Sequence, residues 1–282
     1  MGFLKFIQFT MPEYIKPYGA FHIVSLFLIV ALTIVLCVCF RNIKEKNLNK
    51  FLIVAWATLV TLELYKQFVF SYYFDSDGVI YWHFQWYTFP YQFCSTPLII
   101  LPFIALNKGS NKVSSFIKEG AIIFCSTFNL FAGLGVMLAP GDVFITFNAL
   151  ICVQTMLHHG LQFALGVFLY VYYHNRFKYW SFLKTLPIFV FFTFNALLLN
   201  LIVPNFINDE HFNMFFISPY FDCPLPVLSI IHEKAPYVVF LLVYVVGFAA
   251  LSFGVYNALY CLALLADRHA KSIDNSGDAV LE

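Results

Sequence analysis

Apolar residues in this chain run in long, nearly unbroken stretches. They do not alternate with polar residues at the two- or 3.6-residue spacing of half-buried elements. Seven stretches stand out, at about 20–40, 51–73, 87–106, 117–138, 145–173, 183–203 and 235–265. Each reaches the roughly 18 to 20 residues that a helix needs to cross a hydrocarbon core of ~30 Å. Short polar segments divide them, among them "RNIKEKNLNK", "DSDG", "NKGSNK", "APGD" and "HNRFKYW". Trp82, Trp86, Tyr172, Tyr173 and Trp180 fall at the ends of runs, where amphipathic rings collect at the membrane–water boundary. The pattern predicts an all-α polytopic membrane protein: one seven-helix transmembrane domain over residues 1–266 and a short polar tail at 267–282.

One connection breaks the pattern. Residues 204–234 contain "NMFFISPYF", which is too apolar for an exposed loop. Irregular backbone at membrane depth must be covered by protein or water, so this segment is expected to fold into or over the bundle as a cap.

Composition agrees with the periodicity. The chain is 61% hydrophobic and only 11% charged, against about 25% charged in soluble domains. A net charge of +1 and the lack of a basic, aromatic-studded patch argue against a nucleic-acid partner. The seven cysteines are an odd number, six of them inside apolar runs, and no Cys-x-x-Cys pair occurs. Neither a disulfide framework nor a zinc site is expected, and no metal or cofactor is implied. Charge instead sets orientation. Twelve of the sixteen Lys and Arg lie in the first, third and fifth connections and the tail, against Lys5, Lys16 and Lys234 on the opposite side. The positive-inside rule then places the N-terminus outside and the tail in the cytoplasm, in a multi-pass plasma-membrane protein.

With that orientation, polar residues from five stretches fall in one layer between the outer surface and the midplane. They are Glu63 and Lys66; Gln92 and Cys94; Asn129; Gln154, His158 and His159; and Asn195 and Asn200, with Asn213 following in the cap. Intramembrane ionisable groups are costly and by default mark a site or a water-filled cavity. Each member also has a plainer role. Glu63 and Lys66, spaced i, i+3, suit an ion pair locking one helix. The amides suit bonds between helices, and Cys94 suits an inert buried thiol. His158 and His159 are adjacent and so point ~100° apart on a helix, unlike a helical zinc pair at i, i+4.

A cysteine nucleophile requires a base within hydrogen-bond reach. Cys94 with a histidine, and amides to stabilise an oxyanion, would suit acyl transfer or hydrolysis on a lipid. The same groups would also suit a proton or solute path, or a cavity that holds a polar headgroup without chemistry. Membrane lipids and a small amphiphile are the partners that a lipid-facing cavity implies.

The pieces "FPYQFCSTPLIILP" at 89–102, "VQTMLHHGLQ" at 153–162 and "NMFFISPYF" at 213–221 resemble, in order and spacing, the YwaF family of bacterial integral membrane proteins. That family is similar to a vertebrate transmembrane protein described as a cysteine-dependent acyltransferase acting on ether lysophospholipids. The resemblance implies a phospholipid acyltransferase with Cys94 as nucleophile. The family's His-Gly pair matches His159-Gly160, so His159 is the implied base. Bacterial relatives usually carry Pro-x-His-x-Cys, where this chain has Gln92 at the middle position.

Overall fold

The computed structural model describes residues 2–8, 11, 13–140, 144, 148–207 and 211–278, with side chains to residue 268. It is 76% helical, which bears out the helical class of a polytopic membrane protein. A short helix α1 (Gly2–Ile7) leads into α2 (Ala20–Cys39) and α3 (Glu45–Phe70). A hairpin absent from the sequence expectation follows, β1 (Tyr72–Phe74) pairing antiparallel with β2 (Ile80–Trp82). Its turn is the "DSDG" segment: Asp75 Oδ1 accepts from the backbone N–H groups of Asp77 and Val79 at 2.9 and 2.8 Å, and Gly78 takes φ +78.

Next come α4 (Pro97–Leu106), α5 (Lys112–Phe124), a π turn at Cys125–Asn129, and α6 (Leu130–Leu138). The chain continues with α7 (Ala149–Tyr173), α8 (Leu186–Ile202), α9 (Leu228–Lys234) and α10 (Tyr237–Asp278). Asparagine side chains start two of these helices. Asn111 accepts from Ser114 N–H and Asn148 from Ile151 N–H, as helix N-caps do.

Among the described residues, six helices are long and apolar enough to cross a membrane. The third of the seven expected spans is the exception. Pro90 disfavours helix at Phe89, which is extended, so that only a short 3-10 turn (Trp86–Thr88) precedes it and Phe93–Leu106 is the apolar helix that remains. At 1.5 Å per residue such a piece reaches about 21 Å, short of a ~30 Å core. Two further boundaries differ. Residues 145–147 of the fifth expected span lie outside the described residues, and α10 continues past 265 into the polar tail as far as Asp278.

Burial separates central from peripheral helices. The Lys112–Leu138 and Ala149–Arg176 spans are each 67% buried, whereas the other four are 17–28% buried. The centre is largely aromatic: Phe128 stacks on Phe189 at 4.5 Å and on Phe124 at 5.0 Å, and Phe93 meets Phe215 at 5.1 Å. Small residues set the closest approaches to α7. A Cβ on Gly133 of α6 would lie 2.6 Å from the His159 carbonyl oxygen, and one on Gly160 would collide with Ile29 of α2. Glycine at these two places holds the His159 turn between two neighbouring helices.

Candidate functional site

Residues 211–218, expected as a cap, are folded into the protein. Phe212, Met214, Phe215, Ile217 and Ser218 are fully buried, and Asn213 nearly so. Phe215 and Phe216 adopt left-handed backbone, with φ of 57° and 58°, a conformation costly for bulky side chains that persists only where the surroundings impose it. Amide side chains impose it here. Gln92 Nε2 donates to the Asn213 carbonyl at 2.8 Å while its Oε1 accepts from Phe215 N–H at 2.9 Å. Asn200 Nδ2 donates to the Met214 carbonyl at 2.9 Å and Oδ1 accepts from Met214 N–H at 2.7 Å. Asn213 Oδ1 accepts from Ser218 N–H and its Nδ2 donates to the Asp222 carbonyl. Three amides expected to line a ligand cavity are therefore occupied by backbone, which needs such partners wherever water is excluded.

Asn195 also bonds locally, its Nδ2 donating to the Phe191 carbonyl of its own helix at 2.7 Å. Asn129, in the π turn, accepts from the Thr96 hydroxyl at 2.6 Å and donates to Cys125 Sγ at 3.6 Å. It ties that turn to the start of α4.

The ionisable residues form a group of their own on the hairpin side of the bundle. Lys66 pairs with Glu63 at 2.8 Å, and Gln67 Nε2 donates to the same carboxylate at 2.7 Å. The Lys66 charge reaches Cys94, His158 and His159 electrostatically, and that of Glu63 reaches Cys94. His158 Nε2 donates to the Cys94 carbonyl oxygen at 3.2 Å, linking α7 to the turn before α4. His159 Nδ1 donates to the Thr155 carbonyl of its own helix at 2.8 Å. The structure thus bonds His158 to Cys94, whereas the family resemblance points to His159; the two imidazoles lie 5.4 Å apart, centroid to centroid.

These bonds fix what remains available. A neutral imidazole has one N–H donor and one bare acceptor nitrogen. Each histidine gives its N–H to a carbonyl, so His158 Nδ1 and His159 Nε2 are left as acceptors. Among the described residues His158 Nδ1 is buried without a partner, as are both amide atoms of Gln162 one turn further along. Gln154 is buried one turn before His158. Among the described residues no three His, Cys, Asp or Glu side chains are grouped to hold a metal, and all seven cysteines are free thiols.

Two features went unread in the sequence. Gln162 closes the motif "VQTMLHHGLQ" but was given no role there. His22, fully buried on α2, accepts from Tyr18 N–H at 2.9 Å and donates to the Met137 carbonyl at 2.7 Å. It joins α2 to α6 with both ring nitrogens satisfied.

A model of the TMEM164 family matches residues 17–256, nearly the whole helical region. The YwaF likeness and its acyl-transfer implication are no part of that match. No curated protein and no solved structure matches the chain.

Proposed function

The chain belongs to the TMEM164 family, and from that premise we propose that the Glu63–Lys66, Cys94, His158 and His159 group binds the polar headgroup of a membrane lipid or small amphiphile. The carrying observation is the pair of acceptor nitrogens held in a buried layer beside a lysine ammonium, one of them without a protein partner. Buried polar atoms are nearly always hydrogen-bonded, so an imidazole nitrogen left open inside a membrane protein favours a ligand. In this reading the N-terminus faces outward, the lysine-rich side is cytoplasmic, and Phe93–Leu106 acts as a seventh, partial span in the plasma membrane.

The sharper form of the proposal is acyl transfer. A histidine acceptor nitrogen removes the Cys94 thiol proton, and sulfur attacks the carbonyl carbon of a lipid ester. The tetrahedral adduct collapses with cleavage of the C–O bond, and the imidazolium returns its proton to the departing alcohol. Water or a second lipid hydroxyl then attacks the thioester and regenerates the thiol.

The test incubates the full chain in nanodiscs with a phospholipid radiolabelled in its acyl chain. Hydroxylamine-sensitive label on wild type, lost in Cys94→Ser, supports acyl transfer; no label on wild type removes that form. Retention of a fluorescent lysophospholipid in the same nanodiscs tests recognition. Retention unchanged in both His158→Leu and His159→Leu would sink the headgroup reading itself.

A further inference from the structure

An open cavity of about 530 Å³ lies between the first turns of α5 and the turn Tyr179–Thr185 that leads into α8. Its volume is within the roughly 300–1,000 Å³ of small-ligand pockets. Ser110, Lys112, Ser115, Phe116 and Glu119 line one side and Lys184 the other. The four from α5 fall at i, i+3, i+4 and i+7, a single face of that helix. Lys112–Leu138 and Tyr179–Asn205 are two of the membrane-length helices, so the cavity stands where both begin.

Its walls are fixed. A Cβ on Gly120 would lie 2.3 Å from the Lys184 carbonyl oxygen, so glycine there lets the two sides touch. The loop before α5 is tied by its own amides. Asn107 Oδ1 accepts from Gly109 N–H at 2.9 Å and from the Ser114 hydroxyl, and Asn111 Oδ1 accepts from Ser114 N–H at 2.8 Å. Gly109 takes φ +61, a conformation that favours glycine.

The polar groups of the cavity are only partly used. Lys184 donates to Glu119 Oε2 at 2.7 Å, and an ammonium has three donors. Glu119 Oε1 is buried without a partner among the described residues. Two ammonium groups, Lys112 and Lys184, stand against the one carboxylate, which leaves the cavity net positive. Lys118, the next basic residue on α5, is engaged elsewhere, with Glu45 at 3.1 Å. Beside this polar face the protein exposes apolar side chains: Val113 and Ile117 on α5, and Trp180 and Leu183 ahead of Lys184.

We propose that this cavity binds a glycerophosphate group, carried by an anionic phospholipid such as phosphatidylglycerol or by a free phosphate ester. Phosphate oxygens accept from Lys112 and Lys184, as charge-assisted bonds. The glycerol hydroxyls are donors of the kind that Glu119 Oε1 lacks, and buried polar atoms are nearly always hydrogen-bonded. The exposed apolar side chains beside the cavity favour the lipid, since they seat acyl chains that a free ester does not have. Glu119 and the Glu63–Lys66 group lie toward opposite ends of α3, whose Glu45 is held by Lys118 next to Glu119. The cavity therefore stands or falls independently of the headgroup reading given above.

The test titrates radiolabelled phosphatidylglycerol and, separately, radiolabelled glycerol 3-phosphate onto the full chain in dodecylmaltoside micelles. Saturable binding of phosphatidylglycerol alone supports the lipid source, and saturable binding of both supports the group from either source. Lys112→Glu should weaken binding roughly tenfold, the effect of reversing one basic contact. Ser115→Trp fills the cavity without changing charge and should weaken binding as well. Lys50→Glu makes the same charge change at an exposed position outside the cavity and should leave binding as in wild type. Absence of saturable binding of either ligand overturns the proposal. So do equal losses in Lys112→Glu and Lys50→Glu, which would mean attraction to the surface charge at large, and so does wild-type binding by Ser115→Trp.

Discussion

Asn200→Leu offers the sharpest test of the re-entrant segment. Asn200 is fully buried, and its amide satisfies both the N–H and the C=O of Met214. Leucine fills a similar volume yet can replace neither bond. Each backbone group left unpaired costs about 1–3 kcal/mol, and the added apolar burial returns about 1–2 kcal/mol. The net loss is then about 3 kcal/mol, a large fraction of the 5–15 kcal/mol typical of a folded domain. At 2–4 °C per kcal/mol, the thermal transition in detergent micelles, followed by circular dichroism, should fall by about 6–12 °C. Asn195→Leu is the matched control. It sits on the same helix and bonds only to Phe191 of that helix, so its transition should move by less than about 2 °C, the scale of ordinary surface substitutions. Equal transitions in the two variants would refute the view that Asn200 holds the segment.

Two further outcomes are expected. Lys66→Met alone leaves the buried Glu63 carboxylate without its cation and should destabilise by about 3–5 kcal/mol, Glu63→Gln alone leaves the partly exposed Lys66 and should cost less, and the double variant should recover much of the larger loss; thermal transitions of the four proteins would show this, and strictly additive losses would refute a coupled pair. Burial pushes the Cys223 thiol above its ordinary value of 9.0, so the folded protein holds that proton more tightly than the unfolded chain does. The stability this contributes is fully present below pH 9 and declines as pH rises through the raised value, and maleimide labelling of Cys223 in a variant lacking the other cysteines should remain slower than that of a free thiol at pH 8.

The helices were legible because bilayer-crossing length is written directly into runs of apolar residues. Six of the seven expected spans correspond to helices of that length. The third does not, because run length says nothing about backbone breaks: "FPYQFCSTP" is apolar enough to count, but Pro90 holds Phe89 extended and the longer helix starts only at Phe93. The hairpin was missed for the opposite reason. Tyr72–Phe74 and Ile80–Trp82 are three-residue strands, too short to show a two-residue period, and only "DSDG" announced their turn.

The sequence showed which polar residues lie in apolar runs but not what each one does, because position along a run is a one-dimensional coordinate and hydrogen-bond partners are not. Gln92 and Asn200 were expected in one layer with His158, and Asn213 in the cap, yet each is directed at the backbone of 213–222. A hint lay in the sequence itself: an apolar segment such as "NMFFISPYF" without helical length cannot satisfy its own N–H and C=O groups inside a membrane. Nearby amides are the side chains able to serve both groups at once.

That division of labour bears on function. Amides carry a donor and an acceptor together, which matches a peptide unit and makes them good clamps for irregular backbone. An imidazole bonded through its N–H retains an acceptor whose state changes with a single proton. The bundle uses amides from α8 and the turn before α4 to fix the buried segment, and leaves His158 and His159 on α7, one of the two most buried spans. Gln162 departs from this arrangement, since its amide clamps no backbone and lies one turn from the open nitrogen of His158. Were Gln162 only another clamp, its amide would be paired as those of Gln92 and Asn200 are. Its lack of a partner among the described residues therefore distinguishes Gln162 from the scaffold amides around it, and identifies it as the residue whose substitution should alter function with the least damage to the fold.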